Sequence, residues 1–243
     1  MSSVIKKYAA LCIVCLCSSL FFLGLYHFDN KYSQNTIQAA NGILALSEND
    51  LKKSPVRFLV SGWEFYPDAL LTPEEIQDSD HYMRYLSIGE MSNFSSPADS
   101  SPYGCGTYRM TFFLPERKEA YAIELPEVFS SYTLYLDHDR ILQLGDPEQR
   151  IPLVQNRMVT FYGGKPVTLT IAVSNYDHFY GGIVYPPAFG TMLAVNTSRG
   201  IRFAFCLFSC TVTFVCALLS FYFSHRMKQK NAFLFGLICL AMC

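Results

Sequence analysis

The sequence lacks charged residues over two long stretches. Residues 8–28 and 203–223 each run for 21 positions without an Asp, Glu, Lys or Arg. An apolar helix of about 20 residues is long enough to cross the roughly 30 Å hydrocarbon layer of a membrane, so we expect two membrane-spanning helices. The apolar run at 232–243 has only 12 residues, which make about 18 Å of helix. It indicates the start of a third span, and we expect the chain to be truncated there.

Acidic residues are missing from both ends of the chain. All 20 lie between Asp29 and Arg199, where they outnumber 13 basic residues and give this region a net charge of −7. The short flanking segments are basic, with Lys6 and Lys7 before the first apolar stretch and the basic segment 225–230 after the second. Basic residues favour the cytoplasmic side of a membrane, so we expect the middle region to be exported. Its negative charge argues against nucleic acid as a partner.

Cysteine is nearly absent from this exported region. Eight of the nine cysteines fall in the apolar stretches, and only Cys105 lies between them. No disulfide can therefore form within the region, and its roughly 170 residues must be held together by a hydrophobic core, which that length allows. An intermolecular disulfide is the alternative to a buried or free Cys105. The first apolar stretch is either an uncleaved anchor or a signal peptide, and in both cases the middle region is exported.

Alternating apolar residues predict strands in the middle region. Four segments place large apolar side chains at every second position: 108–114, 121–125, 132–136 and 167–173. This pattern suits antiparallel strands with one face in a core. Turn residues separate the segments, and short strands at this spacing predict a two-sheet sandwich. At 72–78 an N-cap Thr followed by Pro and acidic residues predicts a short helix.

The order of five blocks resembles a known family. The blocks are GWEFYPDALLTPEE at 62–75, YGCGTYRMTFFLP at 103–115, IELPEVFSSYTLYLD at 123–137, LTIAVSNYDHFYGGIVYPPAFG at 169–190, and the second long apolar stretch. In this order they resemble the bacterial seven-transmembrane receptors with diverse intracellular signalling modules. The resemblance implies an extracellular jelly-roll domain of the galactose-binding type, a bundle of seven helices and a cytoplasmic output module. Most of the bundle and the output module are absent from this sequence.

Together these observations predict an all-β jelly-roll sandwich ectodomain, galactose-binding-like, flanked by transmembrane α-helices. The predicted divisions are a cytoplasmic N-terminus with the first helix at 1–28, a connector at 29–53, an extracellular β-sandwich sensor domain at 54–198, a transmembrane helix at 199–223, a basic cytoplasmic loop at 224–231 and the start of a truncated helix at 232–243. The expected location is a cell membrane, as a multi-pass protein with the sandwich extracellular or periplasmic.

The segment NYDHFYGG at 175–182 is the candidate binding loop. It gathers an amide, a carboxylate, an imidazole and three aromatic rings, and it ends in two glycines that permit unusual backbone angles. We predict that its residues Asn175, Tyr176, His178 and Tyr180 bind ligand; a structured corner of the sandwich near the membrane is the alternative. Arg109 is a fifth candidate, since its fork of donors suits hydroxyls or a carboxylate; a surface ion pair is its alternative.

The predicted function is a ligand-sensing receptor domain. The expected partners are a small extracellular ligand, with carbohydrate the first choice, and the lipid bilayer; a homodimer is compatible with the sequence. No catalytic motif, cofactor site or metal site is evident, so the chain is predicted not to be an enzyme. Two alternatives remain open, a membrane-tethered carbohydrate-binding or adhesion module and a glycan-processing enzyme. Trp63, the only tryptophan, is expected in the core rather than stacked on a sugar.

Overall fold

The structure, a computed structural model, describes residues 2–32, 36–78, 81–89, 94 and 101–242. The chain divides into two compact units, Met1–Thr191 and Met192–Cys243. The elements of the first unit are α1 (Ser2–Asp29), β1 (Ile43–Ala45), α2 (Glu48–Lys53), β2 (Val56–Phe58), β3 (Trp63–Pro67), α3 (Pro73–Asp78), β4 (Arg84–Leu86), β5 (Gly104–Phe113), β6 (Tyr121–Leu125), β7 (Ser131–Leu136), β8 (Asp139–Leu144), β9 (Arg157–Phe161), β10 (Val167–Asn175) and β11 (Ala188–Thr191). Those of the second are α4 (Met192–Met227) and α5 (Lys230–Ala241).

The strands form two sheets. The larger has the order β4-β3-β5-β10-β7-β8, with β1 paired in parallel to β5, and the smaller has the order β2-β11-β6-β9. All pairs other than β1–β5 are antiparallel. The predicted β-sandwich is confirmed, and the four alternating segments correspond to β5, β6, β7 and β10.

The core lies between the two sheets. Alternate residues of β5, beginning at Tyr108, point inward and are buried, as the period of two predicts. Across the core, the ring of Phe189 on β11 stacks on Tyr121 at 5.9 Å and packs against Phe112 at 5.1 Å between centroids. Trp63 is fully buried, and its indole N–H donates to the backbone oxygen of Leu59 at 3.0 Å. The expectation that Trp63 is a core residue is confirmed.

The outer face of the larger sheet is partly covered. The hydroxyl of Thr107 on β5 donates to the backbone oxygen of Ala69 at 2.8 Å and accepts from the N–H of Leu71 at 2.9 Å. These bonds hold the segment that leads into α3 against the sheet, and α3 itself begins with a capping pair between Thr72 and Glu75. On the same face of the sheet, Thr170 and Ala172 of β10 are also buried.

One described helix has the length and composition of a membrane span. Among the described residues, only Met192–Met227 is long and apolar enough to cross a membrane by length and composition, while the apolar helices Cys15–His27 and Lys230–Ala241 are shorter. The helix begins at Met192 rather than at residue 199 because the polar segment before the apolar stretch is already helical. Spans at the first and third apolar stretches stay predictions.

The sandwich has two distinct ends. β10 runs antiparallel to β5 with Asn175 opposite Gly104, and we call this the loop end. β11 finishes with Thr191 opposite Tyr121, which lies at the other end because β6 follows directly from the far end of β5. Nine residues of β10 at ~3.4 Å each separate the two ends by roughly 30 Å. The predicted binding loop therefore lies at the opposite end of the sandwich from Thr191.

Candidate functional site

The loop at 175–182 is held in place by the side chain of Asn175. Its Nδ2 donates hydrogen bonds to the backbone oxygens of Pro102 and His178, each at 2.7 Å, and its Oδ1 accepts one from the backbone N–H of His178 at 3.2 Å. The residue is only 2% exposed. A buried amide with partners for both of its polar atoms fixes the backbone around it. The structure therefore gives Asn175, a predicted ligand-binding residue, the role of positioning the loop.

Two glycines let the loop approach the core closely. The backbone N–H of Gly182 donates to the hydroxyl of Ser130 at 3.3 Å. A Cβ at Gly182 would collide with the buried hydroxyl of Tyr108, and its φ of +79° is strained for a residue with a side chain. A Cβ at Gly181 would lie 2.6 Å from the ring of Phe94. The loop is therefore fixed at its end as well as at its start.

Aromatic rings meet around this loop. The ring centroid of Phe129 lies 5.9 Å from that of His178, 6.0 Å from Tyr180 and 6.3 Å from Tyr185. Phe179 packs edge-on against Tyr180, with centroids 5.6 Å apart. These are ordinary packing distances for aromatic pairs, so the rings form one surface. We call it the aromatic patch; it comprises Phe129, His178, Phe179, Tyr180 and Tyr185. Tyr176 belongs to the same loop.

The aromatic patch is open to solvent. Phe179 is 73% exposed and Tyr180 55%, while Tyr185 of the patch and Tyr176 of the loop are each 38% exposed. Phe129 is partly buried behind them. Single exposed apolar side chains are common, but a contiguous exposed group on a fixed loop is typical of a binding surface.

Two cationic side chains lie over tyrosine rings at this end of the sandwich. The guanidinium carbon of Arg150 is 3.8 Å from the ring centroid of Tyr176 in the loop, and Nζ of Lys31 is 5.9 Å from that of Tyr185 in the patch. Both are within the range of a cation–π contact. The loop also exposes Asp177. The loop and the patch therefore present both aromatic rings and groups that donate or accept hydrogen bonds.

The connector after α1 passes beside the patch. The hydroxyl of Tyr32 donates to the backbone oxygen of Val184 at 2.9 Å. Burial raises the pKa of this hydroxyl above its ordinary value of 10, so the donor is also retained in alkaline solution. The ring of Tyr32 also occupies the space that a side chain at Gly89 would need. The contact fixes Lys31 close to Tyr185.

Arg109 lies away from the patch. It sits on the outer face of β5, opposite Thr170, five residues along β10 from Asn175 and so about 17 Å away. Its Nη1 is 3.5 Å from Oε2 of Glu64, and both side chains are partly buried. Burial raises the pKa of the Glu64 carboxyl, and the charge of Arg109 opposes that rise. The structure thus brings four of the five predicted residues together, and it places Arg109 in an ion pair.

Sequence reasoning missed four members of the site. Phe129, Arg150, Lys31 and Tyr185 come from separate segments, and nothing in their local sequence marks them as neighbours of the loop at 175–182. The pairing of Ser131 with Ser174 brings Phe129 to the loop end. A sequence-based signal was present only for Tyr185, which follows the loop closely in the chain.

The side chains of the aromatic patch are suited to contacting an organic ligand rather than to binding a metal ion. Among the described residues no group of three or more His, Cys, Asp or Glu side chains is placed to hold a metal ion. His178 is the one imidazole of the patch, and a single ligand does not fix a metal. The arrangement can pack a ligand against ring faces and hydrogen bond to its polar groups.

Comparison with known proteins gives structural neighbours only. No family model and no curated protein matches the sequence. A β-glucuronidase from Faecalibacterium prausnitzii is similar to 57% of this chain at 15% identity and a TM-score of 0.40, over 32% of that enzyme. A putative β-galactosidase from Bacteroides fragilis (14% identity, TM-score 0.40) and a glycosyl hydrolase family 2 member from Bacteroides cellulosilyticus (13%, 0.45) match 55% and 56% of this chain. The chain covers 22% and 20% of those two proteins, so it spans a third or less of each neighbour.

Two functional predictions are corrected by these neighbours. The chain was expected to be the sensing part of a signalling receptor and not to be an enzyme, whereas the neighbours come from family 2 glycoside hydrolases. The physical reason is that four of the five blocks behind the receptor resemblance build the sandwich, and the fifth falls on the apolar helix α4. One fold of this kind serves many functions. The homodimer stays a prediction.

Proposed function

We propose that the aromatic patch binds carbohydrate and that the sandwich serves glycan recognition. The observation that carries this proposal is a fixed loop that presents exposed rings beside hydrogen-bonding groups. The C–H face of a sugar ring packs on an aromatic ring, while its hydroxyl groups need donors and acceptors at the rim. Tyr176 and Tyr180 supply both properties, because each has an apolar ring and a polar tip. His178 and Arg150 add polar groups next to rings, and the same loop exposes Asp177.

Preorganisation favours this interpretation over a loop that merely closes the sandwich. A loop that only connects two strands does not need a buried Asn175 with three hydrogen bonds while it exposes Phe179 and Tyr180. Fixing the loop before the ligand arrives lowers the entropy lost on binding. Most of the apolar area of the exposed rings is then still accessible and can be buried against a ligand.

We also propose that the sandwich is a jelly roll of the galactose-binding type, displayed on the outside of a cell membrane and attached through α4. The two antiparallel sheets support the first part. The apolar side chains of α4 support the second, because residues such as Phe203 and Phe208 are exposed along its length. A helix of 36 residues measures about 54 Å, more than the roughly 30 Å needed to cross.

The test measures glycan binding and product release together. The full chain in a neutral detergent is titrated with a panel of mono- and oligosaccharides by calorimetry, and each mixture is then analysed for cleaved sugar. Removing Phe179 and Tyr180 together by substitution to Ala should weaken binding at least tenfold, since an aromatic contact contributes about 1 kcal/mol. Tyr162→Ala is the matched control, because this exposed tyrosine follows β9 away from the loop end.

Two results would contradict the proposal. One is unchanged glycan affinity in the double variant, and the other is an equal loss in the Tyr162 control. Cleaved sugar that disappears with the double substitution would extend the proposal to a glycan-processing enzyme that uses the patch to hold its substrate.

A further inference from the structure

A basic cavity that is open to solvent lies at the turn between α4 and α5. Its volume is about 420 Å³, and it is lined by Ser224, Lys228, Gln229, Lys230, Phe233 and Leu234. We call it the turn cavity. It belongs entirely to the second compact unit, and nothing in the aromatic patch contributes to it.

The chain builds this cavity with a fixed reversal. Lys228 has a φ of +54°, which turns the chain between the end of α4 and the start of α5. The hydroxyl of Ser224 donates to the backbone oxygen of Gln229 at 3.0 Å. One helical turn away, the rings of Phe221 and Phe233 pack with centroids 5.5 Å apart. The cavity walls are therefore held by a hydrogen bond on one side and by ring packing on the other.

Close packing of the two helices reinforces the reversal. A Cβ at Gly236 would lie 2.7 Å from the ring of Phe221, so glycine is what allows the helices to approach here. Ala217 and Cys239 are buried in the same contact between the helices. Small residues at a helix contact are typical of helices that associate in lipid.

The basic residues at the cavity have no acidic residue in the same unit to pair with. Residues 192–243 contain five Lys and Arg residues and no Asp or Glu, and Arg226, Lys228 and Lys230 fall within five positions at the turn. No carboxylate of this unit can therefore neutralise the two ammonium groups that line the cavity. A bound anion from outside the unit would do so.

The remaining walls are apolar. Phe233 and Leu234 form the side of the cavity that continues into α5, where Phe235 and Ile238 are exposed. A soluble anion such as inorganic phosphate would leave this apolar surface in water. A phosphate group that carries acyl chains would place its charge on the lysines and its chains along the helices.

We infer that the turn cavity binds the phosphate of an anionic phospholipid. This inference rests on the proposed attachment of the second unit to a membrane. Lys228 and Lys230 contact the headgroup, and Phe233 and Leu234 contact the start of the acyl chains. Each basic residue near an anionic headgroup raises the affinity roughly fivefold, so the two lysines together contribute about 25-fold.

The experiment titrates the full chain in a neutral detergent with phosphatidylglycerol, phosphatidylcholine or inorganic phosphate, and measures bound ligand by native mass spectrometry. We expect phosphatidylglycerol to bind at least tenfold more tightly than phosphatidylcholine. The variant K228Q/K230Q should lose about 25-fold in affinity for phosphatidylglycerol. K228R/K230R, which keeps both charges, should retain it. K52Q/K53Q is the matched control, since it removes two exposed charges from α2 in the other unit and should bind as the native chain does.

Three outcomes would overturn the inference: equal affinity for the two lipids, full affinity in K228Q/K230Q, or complete displacement of the lipid by millimolar inorganic phosphate. The membrane proposal is tested separately by alkaline extraction of membranes from cells that produce the full chain. Release of the chain into the soluble fraction refutes attachment, whereas a retained chain with no lipid preference refutes only the turn cavity.

Discussion

Replacing Asn175 by Ala tests the claim that one buried amide holds the binding loop. The substitution removes two hydrogen bonds of 2.7 Å and one of 3.2 Å. Each contributes about 1 kcal/mol net to the free energy of unfolding, and a partner left unsatisfied in the interior costs about 1–3 kcal/mol. The backbone of His178 can regain water because that residue is only partly buried. We therefore expect a loss of about 3 kcal/mol, the sum of the three net contributions.

The assay is urea unfolding of the full chain followed by tryptophan fluorescence. Trp63 is the only tryptophan and is fully buried, so its emission reports the sandwich alone. Asn175→Asp separates hydrogen bonding from volume. It keeps the size of the side chain but replaces the donor with an oxygen that faces two backbone oxygens, and it should destabilise at least as much as Ala. Asn156→Ala, at an exposed position, should change the free energy by less than about 0.5 kcal/mol.

The reasoning fails if Asn175→Ala lowers the free energy of unfolding by less than about 1 kcal/mol, or if the Asp variant is as stable as the native chain. Either result would mean that contacts elsewhere hold the loop. The same variant should also weaken glycan binding without touching the ligand, because the rings of Phe179 and Tyr180 would no longer be fixed before binding.

Further predictions concern backbone strain, a buried cation and pH. Gly182→Ala should destabilise the sandwich by about 1–3 kcal/mol, measured by urea unfolding, since its φ is positive and its Cβ would meet Tyr108. Arg57→Met should cost about 3 kcal/mol or more in the same assay, because the guanidinium is buried and donates to three backbone oxygens; an unchanged midpoint would contradict this. Hydrogen bonds from Arg117 hold the pKa of the Glu48 carboxyl below its ordinary 4.5. Its stabilising effect is present above that pH and is lost as the pH falls through the folded value. Glu48→Gln should therefore lower the melting temperature slightly at pH 7, and this difference from the native chain should disappear as the pH falls through the folded pKa of Glu48.

The sandwich could be predicted where strands are long and half-buried. β5 and β10 alternate large apolar residues because they cross the centre of the larger sheet, and the period of two is visible in their sequences. β8 could not be predicted in the same way, because it is an edge strand with mostly exposed residues. β11 has only four residues, too few to show a period. Its place in the smaller sheet depends on pairing with β6, far away in the sequence.

The binding loop could be located from its composition, but the site could not be assembled. Local sequence offers no reason to place Phe129 or Arg150 beside residues 175–182, since these contacts depend on strand register and on the path of the loop after β8. The ion pair of Arg109 could not be predicted for the same reason. Its side chain points away from the core, as the alternation along β5 predicts, but its partner Glu64 lies on a strand about 45 residues earlier. The residues of a segment show which side chains it can contribute to a site. Strand pairing over long sequence distances determines which residues those side chains contact.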